Sequence, residues 1–492
     1  MNSCTGVEAR KNNLIVFSYL IIIVTLSLTC SLFIVFDNTK PIYYSSLSIL
    51  PLIFALCSCI ALNVYKHLFK KVSITIIILT YFIRMVVLPF IIYLGDYSIL
   101  FGNYNVVIPY DLLFNNMGKA ISLMGYEALI IFTTIATSNF TDNRKELNKN
   151  FLDLKSESTK KSLFFKGTIF AMILFVFTCL LIFPSLKNYI SFFIAGSEEE
   201  NIRNYIRLLN IRANVPSIIY WIYIMFVDLL QIFLPIVLIE YIFKKIGRHN
   251  TKRALLLSFC IIFMVLLFMT PEKARSIQLA VSLFLVLHFI YPQHIRKIIP
   301  FALVFVSIFS LIALLLKSGV YREESDLWGF VSETLNAYFS GPLNVVASIS
   351  MQQNSSIKLI ISDILNSLPF VKHYFMEWDT TPKYFNYSIK GTGATVSKII
   401  PMIGQGYFYF GFLLSPIISI ISIKVAMKLE KIANLTTNIF KRYLYIFATI
   451  NFALSPVLYN FNISLSTFWD IIIILILMKL ADLKLRKKTI GI

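Results

Sequence analysis

Charged side chains are scarce in this chain of 492 residues. Only 14% of its residues are Asp, Glu, Lys or Arg, whereas soluble domains carry about 25%. Hydrophobic residues make up 57%, so the composition excludes an ordinary soluble globular protein. Acidic residues are scarcer than basic ones. The chain has 25 Asp and Glu and 45 Lys and Arg, which gives a formal net charge of +20.

Several chemical signatures are also missing. The sequence contains no GxxxxGKS/T phosphate-binding loop, no HExxH helix and no CxxC pair. It has no soluble nucleotide-binding domain, which argues against a primary pump, and no internal repeat of fixed period. The six cysteines lie in or beside apolar stretches or near the N-terminus, where free Cys is typically an inert packing residue.

Long apolar stretches are what the sequence does contain. Most of them are long enough to cross a hydrocarbon core of about 30 Å as an α-helix. We therefore predict an all-α polytopic integral membrane protein, a single transmembrane domain over residues 1–492 with about 12 transmembrane helices. The predicted spans are Leu14–Val35, Ile42–Tyr65, Val72–Leu94, Ala120–Ser138, Phe165–Phe183, Pro216–Ile242, Ala254–Met269, Ser276–Tyr291, Ile298–Leu316, Tyr407–Ile423, Tyr443–Tyr459 and Phe468–Leu480.

Lysine and arginine set the predicted orientation of these helices. Most of the 45 basic residues fall in every second gap between the apolar stretches. Short loops rich in Lys and Arg stay in the cytoplasm, so both termini are predicted to be cytoplasmic. The outward gaps are near neutral because they hold many of the acidic residues. The net positive charge is therefore expected to face anionic membrane lipids, and no nucleic-acid partner is expected.

Two of the outward gaps are much longer than the others. They run over Pro184–Val215 and Lys317–Gly406. Loops of this length in a compact protein are often functional. In the second loop, Asp326–Ser350 and Ser356–Leu368 have the periodicity of amphipathic helices that lie at the membrane surface or dip into it. We expect Gly341-Pro342 to break the first of these helices.

Arginines are the strongest candidates for chemistry on the outward side. Arg275 follows a tight turn between two apolar stretches, and Arg322 begins the second long loop. The first long loop adds Arg203, Arg207 and Arg212. Because the planar guanidinium suits phosphate oxygens, one interpretation of this set is a diphosphate site. Ordinary pairing with nearby glutamates is the alternative, and the short turn favours function at Arg275.

His373 is the only histidine in an outward segment. Its loop also holds Asp363, Glu377 and Asp379, so one interpretation of His373 is a general base that accepts a proton from a sugar hydroxyl. A solvated or locally bonded histidine is the other interpretation. The same loop ends in Gly404-Gln405-Gly406, which is typical either of a phosphate-binding turn or, more often, of close helix packing.

Ionisable residues also occur inside the predicted spans. Arg84, Glu127 and Asp228 fall in three different spans, and Asp470 lies near the outer end of the last one. Such groups are costly in a bilayer and usually face one another or a wet cavity. We predict that Arg84 pairs with Glu127 or Asp228. The pair is either structural or part of a substrate or proton path.

Three stretches together resemble the Wzy-type polymerases, which polymerise bacterial O-antigen and capsule repeat units. The stretches are Glu272–Ser276, Val320–Arg322 with Tyr338–Pro342, and Gly404–Phe412. The resemblance covers most of residues 200–425, and the predicted number of spans and the two long outward loops fit it. The turn before Arg275 departs from the pattern because it lacks the expected glycine.

The resemblance implies an enzyme of the bacterial cytoplasmic membrane. Such polymerases transfer a growing glycan from undecaprenyl diphosphate to a hydroxyl of an incoming lipid-linked repeat unit, without a metal or nucleotide cofactor. The implied ligands are the lipid-linked oligosaccharide and membrane lipids, with a chain-length regulator protein as a further partner. The candidate catalytic residues are then His373, Arg275 and Arg322, and a carboxylate of the second long loop is the alternative to His373 as the general base. The candidate substrate-binding residues are Arg203, Arg207, Arg212, Tyr338 and Arg84.

Three other functions remain as alternatives. A related O-antigen ligase would have much the same composition. A flippase or transporter of lipid-linked oligosaccharide is expected to show two similar halves and short outer loops, neither of which is found here. A membrane glycosyltransferase that uses a polyprenyl phosphate would depend on Asp37 in the first outward loop, and it usually carries a soluble domain.

Overall fold

The fold is known from a computed structural model of the chain. The residues that it describes are 4–67, 71–95, 97, 110–138, 163–189, 191–192, 214–247, 250–269, 273–291, 327–351, 356–369, 371, 378–390 and 399–489. Almost all of the secondary structure in these residues is helical, as the apolar stretches predicted. The exception is one antiparallel pair of two-residue strands, β1 (Ser191–Phe192) and β2 (Phe268–Met269).

Long helices dominate the N-terminal part of the described chain. They are α1 (Cys4–Phe36), α2 (Ile49–Ile60), α3 (Val72–Phe82), α4 (Leu88–Leu94), α5 (Tyr110–Ala136), α6 (Leu163–Ile182), α7 (Ser217–Ile242), α8 (Thr251–Leu267) and α9 (Lys273–Ile290). Short 3-10 turns lie at Ile42–Ser48, Val64–His67 and Pro184–Tyr189, and π-helical turns lie at Ile83–Val87 and Phe243–Gly247.

The C-terminal part begins with short helices and ends with long ones. They are α10 (Leu327–Tyr338), α11 (Pro342–Ile349), α12 (Ile357–Ser367), α13 (Thr381–Lys390), α14 (Met402–Leu414), α15 (Ile417–Leu435), α16 (Ile439–Leu458) and α17 (Phe461–Thr489). The predicted amphipathic helices are present. The break expected at Gly341-Pro342 is confirmed, because α10 ends before it and α11 begins at Pro342.

Helix length and composition identify a membrane protein. Within the described residues, six segments are long and apolar enough to cross a membrane, and the bent pair α14–α15 makes a seventh if it counts as one span. Large apolar side chains such as Phe36 and Phe170 are exposed on α1 and α6, which is expected where a helix faces lipid. The six segments are Phe17–Phe36, Ile42–Ile60, Val72–Leu94, Phe114–Ala136, Ser217–Gly247 and Phe461–Leu480.

Some of the twelve predicted spans take a different form in the structure. Phe468–Leu480 is only the middle of the much longer α17. Phe165–Phe183 and Ser276–Tyr291 correspond to shorter apolar helices. Tyr407–Ile423 is not a continuous helix, because the chain bends by 108° between α14 and α15. Ile298–Leu316 lies outside the described residues.

Glycine explains how α14 bends into α15. Gly411 has φ of 73°, a left-handed conformation that favours glycine. A Cβ on Gly404 would collide with the Ser348 side chain, and one on Gly406 would collide with the backbone carbonyl of Ser415. Both glycines therefore allow close packing, and the phosphate-binding interpretation of Gly404-Gln405-Gly406 is not needed.

We expect Gly406→Ala to destabilise the protein by about 1–3 kcal/mol, because the colliding atom at Ser415 is backbone and cannot rotate away. Gly118→Ala is the matched control: it lies on α5, and a Cβ there meets no other atom. The control should be neutral or stabilising, since Ala favours a helix over Gly by about 1 kcal/mol. Thermal unfolding in detergent measures both variants. Equal melting temperatures would contradict this account of the bend.

Two hydrophobic cores are joined by α15 and α16, each of which contributes buried residues to both. The first core is built mainly from α2 to α5 together with α11, and the second mainly from α7, α8 and α9. Helix α16 contributes Phe440 to Ile450 to the second core, and Ala453 and Val457 to the first. Fifteen of its 20 residues are buried, so α16 is the central helix of the described structure.

Helix α11 lies inside the protein rather than at its surface. Its residues Pro342 to Ser348 are all buried, and it packs against α5 and α14. The turn before it contains Ser340, which has the positive φ of 46°. The segment is therefore part of the protein interior, next to α5.

Candidate functional site

The structure describes three of the eight predicted site residues. Arg84 and Arg275 are buried, and Tyr338 is 47% exposed at the end of α10. The other five are outside the described residues and stay predictions; they are Arg203, Arg207, Arg212, Arg322 and His373.

Arg275 lies in the first turn of α9, where two carboxylates hold it. Its Nη2 donates a hydrogen bond to Asp470 on α17 at 2.8 Å, and its Nη1 lies 3.5 Å from a carboxylate oxygen of Asp228 on α7. The hydroxyl of Tyr189 donates to the other oxygen of Asp228 at 3.3 Å. These residues, here called the Arg275 cluster, join three long helices to the segment that precedes β1.

The strand pair fixes the described start of the first long loop. Ser191 pairs with Met269, and Phe192 pairs with Phe268. The chain that leads into the loop therefore lies beside β2, the strand that precedes α9 and Arg275. The sequence predicted buried ionisable groups at Asp228 and Asp470, but it did not reveal them as the partners of Arg275, because the three residues lie far apart in the chain.

Arg84 forms the second buried ion pair. Its Nη1 lies 2.7 Å from Glu127 on α5, which confirms the first of the two partners predicted. Its Nε donates to the backbone carbonyl of Ser340 at 3.0 Å, and Ser419 on α15 donates to Glu127. Arg84 is 0% exposed. Because Glu127 offsets its charge and the Ser340 carbonyl engages its Nε, the geometry makes Arg84 a residue that positions the turn at Ser340.

A π-helical turn at Ile83–Val87 carries Arg84. The following α4 has Pro89 in its first turn. Proline has no N–H to donate to the carbonyl four residues earlier, so the ladder of α-helical hydrogen bonds is interrupted here. A π turn accommodates such an interruption within a continuous helical segment, and turns of this kind occur frequently at functional sites.

Asp363 on α12 is the centre of a third polar group. It is fully buried and accepts hydrogen bonds from the Tyr409 hydroxyl, from the Asn462 amide at 2.9 Å and from the backbone N–H of Thr381 at 3.1 Å. Gln405 donates to Tyr409 at 2.8 Å. This Asp363 network joins α12, α13, α14 and α17.

The donors around Asp363 change its interpretation. The sequence left open that a carboxylate of this loop serves as the general base. Both carboxylate oxygens of Asp363 are buried and engaged by donors of the protein itself, so neither is presented to a substrate hydroxyl. Asp363 is therefore better explained as a residue that holds the short helices together.

Two carboxylates outside the spans have a lowered pKa. The hydroxyl of Tyr384 and the ammonium of Lys383 lower the pKa of Asp379. The hydroxyl and N–H of Thr39 lower the pKa of Asp37, at distances of 2.6 and 2.8 Å. A glycosyltransferase that depends on Asp37 as a base is disfavoured by these contacts, since the bonds stabilise its ionised form.

Comparisons with known proteins do not add to this picture. The chain matches no protein-family model, no curated protein and no solved structure. Within the described residues, no group of three His, Cys, Asp or Glu side chains is placed to hold a metal ion. The function therefore has to be argued from the chemistry of the sites themselves.

Proposed function

We propose that this chain is a glycan polymerase of the bacterial cytoplasmic membrane. It transfers oligosaccharide chains from undecaprenyl diphosphate to a hydroxyl of an incoming lipid-linked repeat unit. The proposal includes the twelve-span arrangement with both termini in the cytoplasm and with Pro184–Val215 and Lys317–Gly406 on the outer face. One observation carries it: the chain leading into the first long loop is paired with the strand that precedes α9, and α7 and α17 meet at the buried Arg275 of that helix.

The chemistry requires positive charge near the leaving group. The acceptor hydroxyl oxygen attacks the anomeric carbon, and the bond from that carbon to the diphosphate breaks. The electron pair of that bond leaves with undecaprenyl diphosphate, and fixed cations stabilise its charge. In this proposal the hydroxyl proton passes to His373, and the exposed ring of Tyr338 stacks on a sugar.

The contacts of Arg275 define its part in this scheme. Asp228 and Asp470 fix its orientation but also offset its charge. We therefore assign most of the contact with the diphosphate to arginines of the long loops, with Arg275 at the base of the site. The assigned arginines are Arg203, Arg207, Arg212 and Arg322.

A transporter of lipid-linked oligosaccharide is the second candidate. The observations that favour it are the ion pairs buried among membrane helices and the bent pair α14–α15, because transporters use both features. The closed geometry around Arg84 counts against a transport path through that pair. An O-antigen ligase would perform the same bond exchange and would differ only in the acceptor that it uses.

Chain growth in detergent tests the polymerase. Purified protein is mixed with undecaprenyl-diphosphate-linked repeat units, and the products are separated by length. We expect wild-type protein to produce polymer and Arg275→Ala to reduce the rate by about 100-fold or more, the typical cost of losing one charge-stabilising donor. Lys383→Gln is the matched control, since Lys383 is partly exposed and lies on α13 away from the cluster.

Arg275→Lys and Asp470→Asn separate catalysis from folding, and each variant is first checked for its melting temperature. Loss of polymer in a variant that melts like the wild type supports the proposed site. Full activity in Arg275→Ala would remove Arg275 from it. Absence of chain growth in detergent, together with movement of the lipid-linked unit across reconstituted vesicles, would replace the polymerase by a transporter.

A further inference from the structure

Arg442 is a buried cation, and two of its nitrogens have no acceptor among the described residues. It lies in the first turn of the central helix α16 and is only 5% exposed. Its guanidinium lies 3.5 Å from the centre of the Phe289 ring, at the end of α9. In the described structure its Nε and Nη2 make no hydrogen bond. Burying a charge with unpaired donors is costly, so an acceptor from outside the chain is expected at this position.

Carboxylates of the neighbouring helices are already engaged. Glu240 on α7 pairs with Lys244 at 2.8 Å, and Asp470 on α17 pairs with Arg275. Glu430 on α15 accepts hydrogen bonds from the backbone N–H groups of Val72 and Ser73, where it caps the start of α3. Each of these three carboxylates thus has a partner other than Arg442.

The two unpaired nitrogens lie on the same edge of the guanidinium. Nε–H and one Nη2–H point in parallel, and this edge is the part of arginine that grips two oxygens of one anion. Phe289 holds the plane of the group from one face, which restricts its rotation. The side chain is thus arranged for a bidentate oxyanion. Because both nitrogens are buried, binding requires this edge to become accessible.

Basic residues surround this end of the helix bundle. Lys441 precedes Arg442 in the sequence. Lys431 is exposed in the last two turns of α15, the helix before α16. The ring of Phe243 lies 5.7 Å from that of Tyr291, so the end of α7, with Lys244 and Lys245, is level with the end of α9. The local excess of positive charge favours an anion with more than one negative charge or a negatively charged surface.

We propose that Arg442 binds a phosphate group at this end of the bundle, either the headgroup of an anionic phospholipid or free phosphate. The guanidinium edge supplies two hydrogen bonds to phosphate oxygens, and the neighbouring lysines attract the anion. The site is separate from the Arg275 cluster and does not depend on the polymerase proposal. The proposal predicts that the charge of the Arg442 guanidinium is unfavourable in the protein without ligand, and that binding of an anion neutralises it.

Binding is measured on the full-length protein in a neutral detergent. Phosphatidylglycerol, phosphatidylcholine and inorganic phosphate are titrated separately, and affinity is followed by native mass spectrometry and by the shift in melting temperature. We expect wild-type protein to bind phosphatidylglycerol or inorganic phosphate and to melt at a higher temperature with it. Arg442→Gln should weaken this binding by about 10-fold to 100-fold, the worth of hydrogen bonds to a charged group.

Two further variants make the result specific. Arg442→Lys keeps the charge but lacks the two parallel N–H groups of the guanidinium edge. This variant should therefore bind phosphate more weakly than wild type and more tightly than Arg442→Gln. Lys441→Gln removes a neighbouring charge and should change affinity by less than about threefold. A phosphatidylglycerol effect without a phosphate effect identifies a lipid headgroup, and the reverse identifies a soluble anion; either supports the site.

Stability without ligand provides an independent test. Since Arg442→Gln removes an unpaired buried charge, this variant should melt in lipid-free detergent at the same temperature as wild type or higher. A lower melting temperature, together with unchanged binding, would show that the arginine is only structural and would overturn the proposal. The proposal would also be overturned if none of the three ligands raised the melting temperature of the wild-type protein.

Discussion

Arg84→Ala should destabilise the protein by about 3–5 kcal/mol, because it leaves the carboxylate of Glu127 buried without its counter-ion. The carbonyl of Ser340 also loses its hydrogen bond from Nε. The effect should therefore extend to the turn between α10 and α11, which ought to become sensitive to protease. Thermal or denaturant unfolding in detergent gives the change in stability, and limited proteolysis maps the cleaved bond.

The double replacement Arg84→Met with Glu127→Met distinguishes a charge effect from a packing effect. Buried ion pairs exchanged for apolar side chains of similar volume are often neutral in stability. We expect the double variant to recover most of the loss and to show a large coupling energy in a double-mutant cycle. If the two single replacements simply add, the pair is not an energetic unit and the interpretation of Arg84 as a positioning residue fails.

Asp363→Ala is expected to have the second largest effect, about 2–4 kcal/mol. It removes the acceptor for the Tyr409 hydroxyl, the Asn462 amide and the Thr381 N–H, and leaves these donors unsatisfied. The helices α12 and α13 should then separate from α14 and α17. Hydrogen exchange in α12 measures this directly, since amides that were protected by docking should exchange faster.

Two variants serve as controls for Asp363. Asp363→Asn keeps one acceptor oxygen and the same volume, so it should retain part of the stability. Asp379→Ala removes a half-exposed carboxylate from the same region, and its effect should stay within about 0.5 kcal/mol because surface ion pairs contribute little. An equal loss in Asp363→Ala and Asp379→Ala would mean that the buried network does not hold the helices.

Local sequence patterns predicted much of this fold. Apolar length predicted the long helices, and Gly341-Pro342 predicted the break between α10 and α11 because proline cannot continue a helix. The cost of charge in a membrane predicted that Arg84 would have a carboxylate partner, and Glu127 is that partner. Each of these inferences depends on residues whose physical requirement is visible from their immediate neighbours.

The remaining features depend on contacts between distant parts of the chain. Asp363 and Asn462 are 99 residues apart, and Arg275 and Asp470 are 195 apart, so no local period signals either contact. The 108° bend also escaped prediction, because hydropathy measures how apolar a stretch is and not its direction. Gly411 with Pro416 was the available signal, since both residues interrupt a regular helix.

The burial of α16 limits how this molecule can move. The first part of the helix, up to Ile450, is packed into the second core and its last part into the first, so a movement of one core relative to the other would break contacts of α16. The short helices α12 and α13 lie outside both cores, and a movement of these two helices would leave both cores in place.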